Sequence, residues 1–184
     1  SALAFAAGGL AAQRANADAN RKGQWLGFGL GPGVGRVGCA ICASNRSGAI
    51  SGYFKAGGTL SRRWLLGLET DGWMHSVGGV DELLLGLAAE LYYYPNPRKR
   101  LFYKAGVGLL RYQADDGPNR LTSTAFGVNL GAGRDLPLNP SASLTPFASV
   151  FVASPGSGMK FNGDPILGDI SLMLFQVGVG VSWH

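Results

Sequence analysis

Residues 82–112, ELLLGLAAELYYYPNPRKRLFYKAGVGLLRY, decide the fold of this chain. Apolar side chains alternate with small or polar ones on both sides of a turn that contains Pro95 and Pro97. Because side chains alternate across a strand, each half of the stretch has one apolar face and one face of small residues and single charges. The stretch predicts a long β-hairpin, and counting outward from its turn predicts that Glu90 lies opposite Lys104 on the polar face.

The apolar face of this hairpin is unbroken in both strands. It comprises Leu83, Leu85, Leu87, Ala89, Leu91, Tyr93, Leu101, Tyr103, Ala105, Val107 and Leu109. Opposite charges between glycines, behind a continuous apolar face, are typical of a β-barrel with a polar interior and a lipid-facing exterior. A soluble barrel that carries lipid would have the reverse arrangement, apolar inside and polar outside. The pattern therefore favours a membrane barrel over a soluble one.

The composition is consistent with one membrane domain. The chain has 184 residues, of which 46% are hydrophobic and only 15% charged, against about 25% charged in an ordinary soluble domain. No run approaches the roughly 18 apolar residues that indicate a transmembrane helix. A membrane protein without such a helix must be a closed barrel, because every backbone N–H and C=O has to be paired internally in hydrocarbon.

The first residues are assigned to a separate segment. Residues 2–12 are apolar, and residues 15–17 offer a small-x-small pattern, so the segment is interpreted as the end of a secretory signal peptide. A short alanine-rich helix that lies on or plugs the barrel is the alternative. Residues 1–23 are therefore excluded from the barrel, which is expected to occupy residues 24–184.

Alternation elsewhere predicts an all-β fold, an eight-stranded antiparallel up-and-down transmembrane β-barrel. The expected strands are 24–37, 49–61, 64–75, 82–93, 101–112, 121–135, 142–153 and 170–183. Their lengths are about those that a tilted strand needs to cross a bilayer. The first, third, fifth and seventh connections are expected to be longer, to share one end and to face outward. Pro146 is expected to cause a local irregularity, because it lacks an N–H donor.

The face opposite the apolar one carries few polar groups, and pairing Leu60 with Trp64 across a tight turn sets Lys55 opposite Glu69. The predicted polar network of the lumen is Lys55, Glu69, Asp71, Glu90, Lys104, Asn129 and Gln176. An eight-stranded interior is just wide enough for side chains to fill it, and buried charges need partners. We interpret this set as a structural network in a closed lumen, with a narrow small-solute pore as an alternative.

Eight alternating strands, a glycine-rich first strand and the ending Phe175-x-Val177-x-Val179-x-Val181-x-Trp183 resemble the small outer-membrane β-barrel proteins of the OmpA/OmpX type. The resemblance covers residues 24–184. It implies an integral protein of a Gram-negative-type bacterial outer membrane, in contact with outer-membrane lipids and lipopolysaccharide. It also implies recognition of the C-terminal aromatic residue by the barrel-assembly machinery, although His184 follows Trp183 here.

The basic residues do not indicate nucleic-acid binding. The net charge is +5, but the basic clusters lie at residues 21–22, 62–63 and 98–100, at expected chain ends or turns. A nucleic-acid site would need a basic stripe with interleaved aromatic residues. Lipid headgroups are the better expectation for these clusters.

The two cysteines, Cys39 and Cys42, lie in the first expected loop. A C-x-x-C pair at a helix start indicates thiol exchange in a cytosolic enzyme. An exported protein meets oxidising conditions, so a local disulfide or two inert thiols is expected here. No metal or cofactor is predicted.

The resemblance also brings lipid A acyltransferases and deacylases into consideration, since some eight-stranded barrels have these activities. An esterase needs Ser, His and an acid within hydrogen-bond reach, and His75, Ser76 and Asp81 are the candidates at the outer rim. However, adjacent residues on a strand point to opposite faces. We therefore expect no catalysis, and a structural or surface-interaction role with a surface or envelope protein as partner. A lipid A esterase or acyltransferase with a site near His75 is the alternative.

Overall fold

A computed structural model describes residues 23–38, 46–156, 158–168 and 170–184. Eight long antiparallel strands close into a barrel in which each pairs with its neighbours in sequence and the last pairs with the first. The strands are β1 (Gln24–Gly38), β2 (Arg46–Thr59), β3 (Trp64–Val77), β4 (Val80–Tyr93), β5 (Leu101–Asp115), β6 (Arg120–Arg134), β7 (Leu136–Pro137), β8 (Ala142–Gly156), β9 (Met159–Phe161), β10 (Asp164–Leu167) and β11 (Ser171–Trp183). β1–β6, β8 and β11 form the wall, which confirms the predicted fold class.

The outward face of the wall is apolar, as predicted. Leu30 is 61% exposed, and Leu87 is 51% exposed. Aromatic side chains pair on this outer face near the chain termini, where Trp64 and Tyr93 have ring centroids 4.5 Å apart. Such aromatic residues are typical of the membrane–water interface. No helix among the described residues is long and apolar enough to cross a membrane.

The register of the β4–β5 hairpin differs from the prediction by two residues. Lys104 lies opposite Tyr92, and Glu90 lies opposite Gly106, so the predicted pairing of Glu90 with Lys104 is wrong. The turn is asymmetric, because the Tyr94 N–H donates to Arg63 O at 2.8 Å on the other side of β4. The β4–β5 ladder begins only at Tyr93–Tyr103, because Leu101 and Phe102 pair with β6 and not with β4. A count from the centre of the turn does not include this offset.

The β2–β3 register agrees with the prediction. Lys55 lies opposite Glu69 across the two strands. The Leu60 N–H donates to Trp64 O at 3.0 Å, which closes the tight turn where it was expected. Both residues of the pair therefore enter the lumen at the same level.

The predicted alternation of connection lengths is wrong in the middle of the chain, because the third connection (78–79) and the fifth (116–119) are shorter than the fourth (94–100). β3 and β4 extend further than expected and are joined by only Gly78 and Gly79, whose φ angles are 60° and 82°. Positive φ at both central residues is the backbone of a type I′ hairpin turn, which glycine adopts without strain. The connection between β4 and β5, at the opposite end, has seven residues (94–100).

The connection between β8 and β11 contains the β9–β10 hairpin. Its first strand continues the barrel wall, because Phe161 and Lys160 pair with Leu121 and Thr122 of β6. The end of the barrel away from the termini therefore carries an ordered extension of the sheet. We call this end, which carries residues 77–80, 115–120, 158–168 and 170–171, the loop end.

The predicted irregularity at Pro146 occurs on one side of its strand only. Pro146 pairs in register with Val179 of β11. On its other side the ladder stops after Gly133–Phe147 and resumes at Leu136–Leu144, because proline has no N–H to donate there.

Candidate functional site in the lumen and at its rim

The seven predicted lumen residues are all buried. Their exposed fractions range from 0% for Glu90 and Asn129 to 7% for Lys104. The alternation that placed them inside is therefore correct, although the partners of Glu90 and Lys104 differ from those expected. What the sequence did not establish is which groups meet across the lumen.

Glu69 is the centre of the polar network. It forms an ion pair with Lys104 of β5, and the Tyr92 hydroxyl donates to Glu69 Oε2 at 2.5 Å. A buried ion pair is expensive to desolvate and is tolerated when further hydrogen bonds satisfy the remaining lone pairs. The Tyr92 hydroxyl supplies such a bond, so the carboxylate is satisfied from two neighbouring strands.

Asp71 extends the network across the barrel. Gln176 Nε2 of β11 donates to Asp71 Oδ1 at 2.9 Å, and Asn129 Nδ2 of β6 donates to Asp71 Oδ2 at 3.2 Å. Asn129 Nδ2 also lies 3.4 Å from Glu69 Oε1. Side chains of β3, β5, β6 and β11 are thus joined through the middle of the lumen, which is the arrangement of a plug.

Lys55 lies among aromatic rings as well as opposite Glu69 in register. Its Nζ is 5.9, 5.2, 5.1 and 5.1 Å from the ring centroids of Trp25, Tyr53, Tyr92 and Phe102 respectively. A cation over aromatic faces is attracted by the ring quadrupoles, more strongly where water is excluded. Sequence reasoning missed this cage, because its rings come from four different strands.

Apolar layers close the lumen on both sides of the polar network. Towards the loop end, Trp73, Leu84, Phe151 and Leu174 are each at most 2% exposed. Towards the termini, another buried cluster comprises Trp25, Leu65, Tyr92, Tyr94 and Phe102. The interior is therefore filled with side chains along the described wall, as the prediction of a closed lumen requires.

The candidate catalytic residues at the rim do not form a triad. His75 Nδ1 lies 3.1 Å from Glu82 Oε2, whereas Ser76 Oγ donates to Asp81 Oδ1 at 2.5 Å. Each pair joins residues directly opposite each other in β3 and β4. Since neighbouring residues on a strand alternate faces, one pair faces inward and the other outward.

Tyr112 completes the inward group at the rim, where its hydroxyl donates to Glu82 Oε1 at 2.6 Å. The ring of His75 stacks on Trp73, with centroids 5.7 Å apart and an interplanar angle of 17°. Glu82 thus orients His75, but the hydroxyl beside it belongs to a tyrosine that is itself hydrogen-bonded. The arrangement joins β3, β4 and β5 at the mouth of the barrel, and among the described residues the side-chain hydrogen bonds of His75 and Ser76 go to Glu82 and Asp81 and not to each other.

Two sets of predictions lie outside the described residues. They are the disulfide or inert thiols at Cys39 and Cys42, and the assignment of residues 1–22 of the N-terminal segment. Within the described ranges, no group of three or more His, Cys, Asp or Glu side chains is placed to hold a metal ion.

Comparisons with known proteins identify the fold. No protein-family model matches the chain, and no curated protein sequence matches it either. Among solved structures, Neisserial surface protein A (NspA) superposes with a TM-score of 0.63 at 13% identity, over 88% of this chain and 97% of that one. Ail, the attachment invasion locus protein of Yersinia pestis, superposes with a TM-score of 0.53 at 12% identity, over 88% of this chain and 99% of that one.

These likenesses agree with what the wall itself establishes. The barrel is closed, its lumen is polar and filled, and its outward face is a continuous apolar surface, the combination that defines outer-membrane barrels. The chain has the fold of the small eight-stranded outer-membrane β-barrel proteins and is an integral outer-membrane protein.

Proposed function

We propose that this chain is a non-enzymatic outer-membrane protein that acts through its loop end, in a structural or surface-interaction role. The observation that carries the proposal is the ordered β9–β10 hairpin above a filled lumen. The side chains of Glu69, Lys104 and their partners fill the interior of the barrel. Its outer surfaces are therefore better suited to a function than a passage through the lumen. The loop end then faces away from the cell, and the termini face the periplasm, in keeping with the usual topology of such barrels.

The hairpin is held firmly to the wall. The Asn162 N–H donates to Arg120 O at 2.8 Å, and the Arg120 N–H donates to Asn162 Oδ1 at 2.8 Å. This reciprocal pair fixes the tip of the β9–β10 turn against the start of β6. A surface that is already ordered loses less conformational entropy when it binds a partner, so the clasp supports a recognition role.

The exposed side chains of the hairpin are suited to recognition. Phe161 is 39% exposed and Ile166 is 49% exposed, and Lys160 between the barrel and the tip is exposed as well. Aromatic anchors such as Phe161 are frequent at binding surfaces, and the positive charge of Lys160 attracts an anionic partner. Ail has also been solved in complex with the heparin analogue sucrose octasulfate, which makes a sulfated glycan a reasonable first probe for this surface.

The test compares cells that display the full chain with cells that display a variant in which residues 159–167 are replaced by a short glycine–serine turn. Attachment to a heparin-coated surface and to extracellular matrix is measured for equal amounts of folded barrel, judged by heat-modifiable gel mobility. We expect attachment to fall when the hairpin is removed. A Phe161→Ser, Ile166→Ser variant should have the same effect without shortening the chain.

Two results would contradict the proposal. Release of fatty acid from lipopolysaccharide by the purified protein, abolished in His75→Ala, would favour the lipid-modifying alternative. Stable conductance in planar bilayers would favour the pore. The bonding of His75 to Glu82 and of Ser76 to Asp81 supports an absence of esterase activity.

A further inference from the structure

The lipid-facing wall contains a depression where two glycines face outward. Gly52 and Gly72 lie directly opposite each other in β2 and β3, and with no side chains at these positions the wall is only one backbone thick. A cavity of about 600 Å³ opens there. Its walls are formed by Leu30, Ile50, Phe54, Thr70, Met74 and Leu85. We call this depression the Gly52–Gly72 groove.

The groove is apolar and open to the bilayer. Ile50 and Met74, on its side towards the loop end, are 59% and 61% exposed. Thr70, an outward-facing residue of the wall, donates its hydroxyl to Phe54 O at 3.4 Å, whereas the lining residues Ser51 and Tyr53 have buried side chains on the inner face. A flexible hydrocarbon chain makes more contacts with a concave apolar surface of this kind than with a flat surface.

A cation lies beside the groove at the membrane boundary. Arg111 of β5 is directly opposite Leu85 of β4, so it is one strand away from the groove wall, about 5 Å between backbones. It is exposed and faces outward. The outward side chains of β5 are apolar from residue 101 to residue 109 and polar from Arg111 onward, so this guanidinium marks the level at which lipid headgroups begin.

We propose that the Gly52–Gly72 groove and Arg111 together bind one molecule of lipid A, with an acyl chain in the groove and a phosphate on the guanidinium. Arginine binds phosphate through two parallel hydrogen bonds and is favoured where planar recognition of an anion is needed. The choice of lipid A over an inner-leaflet lipid rests on the proposed function, which places the loop end on the outer side of the membrane.

Charge argues against a second copy of this chain as the occupant. A two-fold interface places the same patch on both partners, so it would bring two copies of Arg111 towards one apolar contact. The chain also carries a net charge of +5. Repulsion of this kind is relieved by an anionic lipid and not by another copy.

The two acids on the loop-end side of Arg111 are bonded to other residues. Asp81 and Asp115 lie opposite each other further towards the loop end. Asp81 accepts a hydrogen bond from Ser76, and Asp115 forms an ion pair with Arg120 at 2.8 Å. Both carboxylates are therefore engaged above the groove.

Two variants, each with a control, test the binding of the acyl chain and of the phosphate separately. Gly72→Leu should fill the groove, and the backbone leaves room for its Cβ, because the nearest atom to an added Cβ is Gly52 O at 4.0 Å. Gly58→Leu is the matched control, since it adds the same side chain to the same wall at a position with no atom within 4 Å. Arg111→Gln removes the cation, and Arg134→Gln does so at the opposite end of the barrel.

The measurement is lipid retention by native mass spectrometry of the full chain released from nanodiscs, with lipid A, phosphatidylglycerol or phosphatidylcholine supplied in turn. We expect the wild type and both controls to retain one lipid A. Gly72→Leu should lower retention about tenfold, as expected for the loss of a few buried methylenes. Arg111→Gln should abolish the preference for lipid A over phosphatidylcholine.

Several outcomes would overturn the inference. One is equal retention of lipid A by the wild type and Gly72→Leu, and another is a loss in Gly58→Leu as large as that in Gly72→Leu. A third is a dimer, detected by chemical cross-linking of the wild type, that is absent in Gly72→Leu. Stronger retention of phosphatidylglycerol than of lipid A would also overturn it. Failure here is distinguishable from failure of the proposed function, because removal of the β9–β10 hairpin should leave lipid retention unchanged and Gly72→Leu should leave cell attachment unchanged.

Discussion

Tyr92 lies directly opposite Lys104 across the β4–β5 hairpin, and both side chains bind the same carboxylate, that of Glu69. One strand supplies a hydroxyl and the next supplies an ammonium group, while the acceptor comes from β3. The Glu69 carboxylate, whose burial costs desolvation free energy, therefore lies where two donors meet. The stability of the barrel therefore depends on the side chain of Glu69 more than on the other acids of the lumen.

Removal of the Glu69 charge should destabilise the barrel strongly. Glu69→Gln leaves Lys104 buried without its counter-ion, which costs roughly 3–5 kcal/mol. Equilibrium urea unfolding in phospholipid vesicles measures the change. Glu90→Gln is the control, because neither oxygen of the Glu90 carboxyl has a hydrogen-bond partner among the described residues and its loss should cost much less. Equal losses in the two variants would mean that Glu69 is not the centre of the network.

A charge on the lipid face should be costly at mid-depth. Leu87 is 51% exposed on the apolar exterior, so Leu87→Arg should cost about 2–4 kcal/mol of unfolding free energy. The same substitution at exposed Gln24, at the end of β1, should cost only about 0–1 kcal/mol, as expected near the interface. The same vesicle unfolding assay measures both, and equal tolerance would reverse the assignment of inside and outside.

Gly106 of the inner face and Gly72 of the groove differ in the space around an added Cβ. A Cβ at Gly106 would overlap the Glu90 carboxyl group and the carbonyl oxygen of Ala89, so Gly106→Ala should cost about 1–3 kcal/mol through overpacking. Gly72→Ala meets open space and should be nearly neutral. Folding yield and urea midpoints in vesicles measure the pair. A neutral Gly106→Ala would mean that the lumen around Gly106 is packed less tightly than its contacts with Glu90 and Ala89 indicate.

The filled lumen predicts an absence of stable ion conductance. Glu69, Asp71, Asn129 and Gln176 are joined across the interior, and Phe151 beside them is 1% exposed. Planar-bilayer recordings of the wild type should contain no steady steps. A steady conductance whose size changes in Glu69→Gln would place a passage through this network and would contradict the closed lumen.

Periodicity alone determined the fold class, the strand count and the side of the wall to which each residue belongs. The reason is that a side chain's face depends only on whether its position in the strand is odd or even. Leu87 was therefore assigned to lipid and Glu69 to the lumen without knowledge of any contact. The pairing of Lys55 with Glu69 was also predictable, because a tight turn joins β2 to β3.

Only the tertiary structure decided which groups meet. The register between β4 and β5 places Lys104 opposite Tyr92 and not opposite Glu90. Closure of the barrel brings Asn129 and Gln176, from strands far from β3 in sequence, within hydrogen-bond distance of Asp71. The groove at Gly52 and Gly72 likewise depends on two strands in register. Alternation determines the face of a residue, whereas shear and closure determine its neighbours, and these depend on the whole ring of strands.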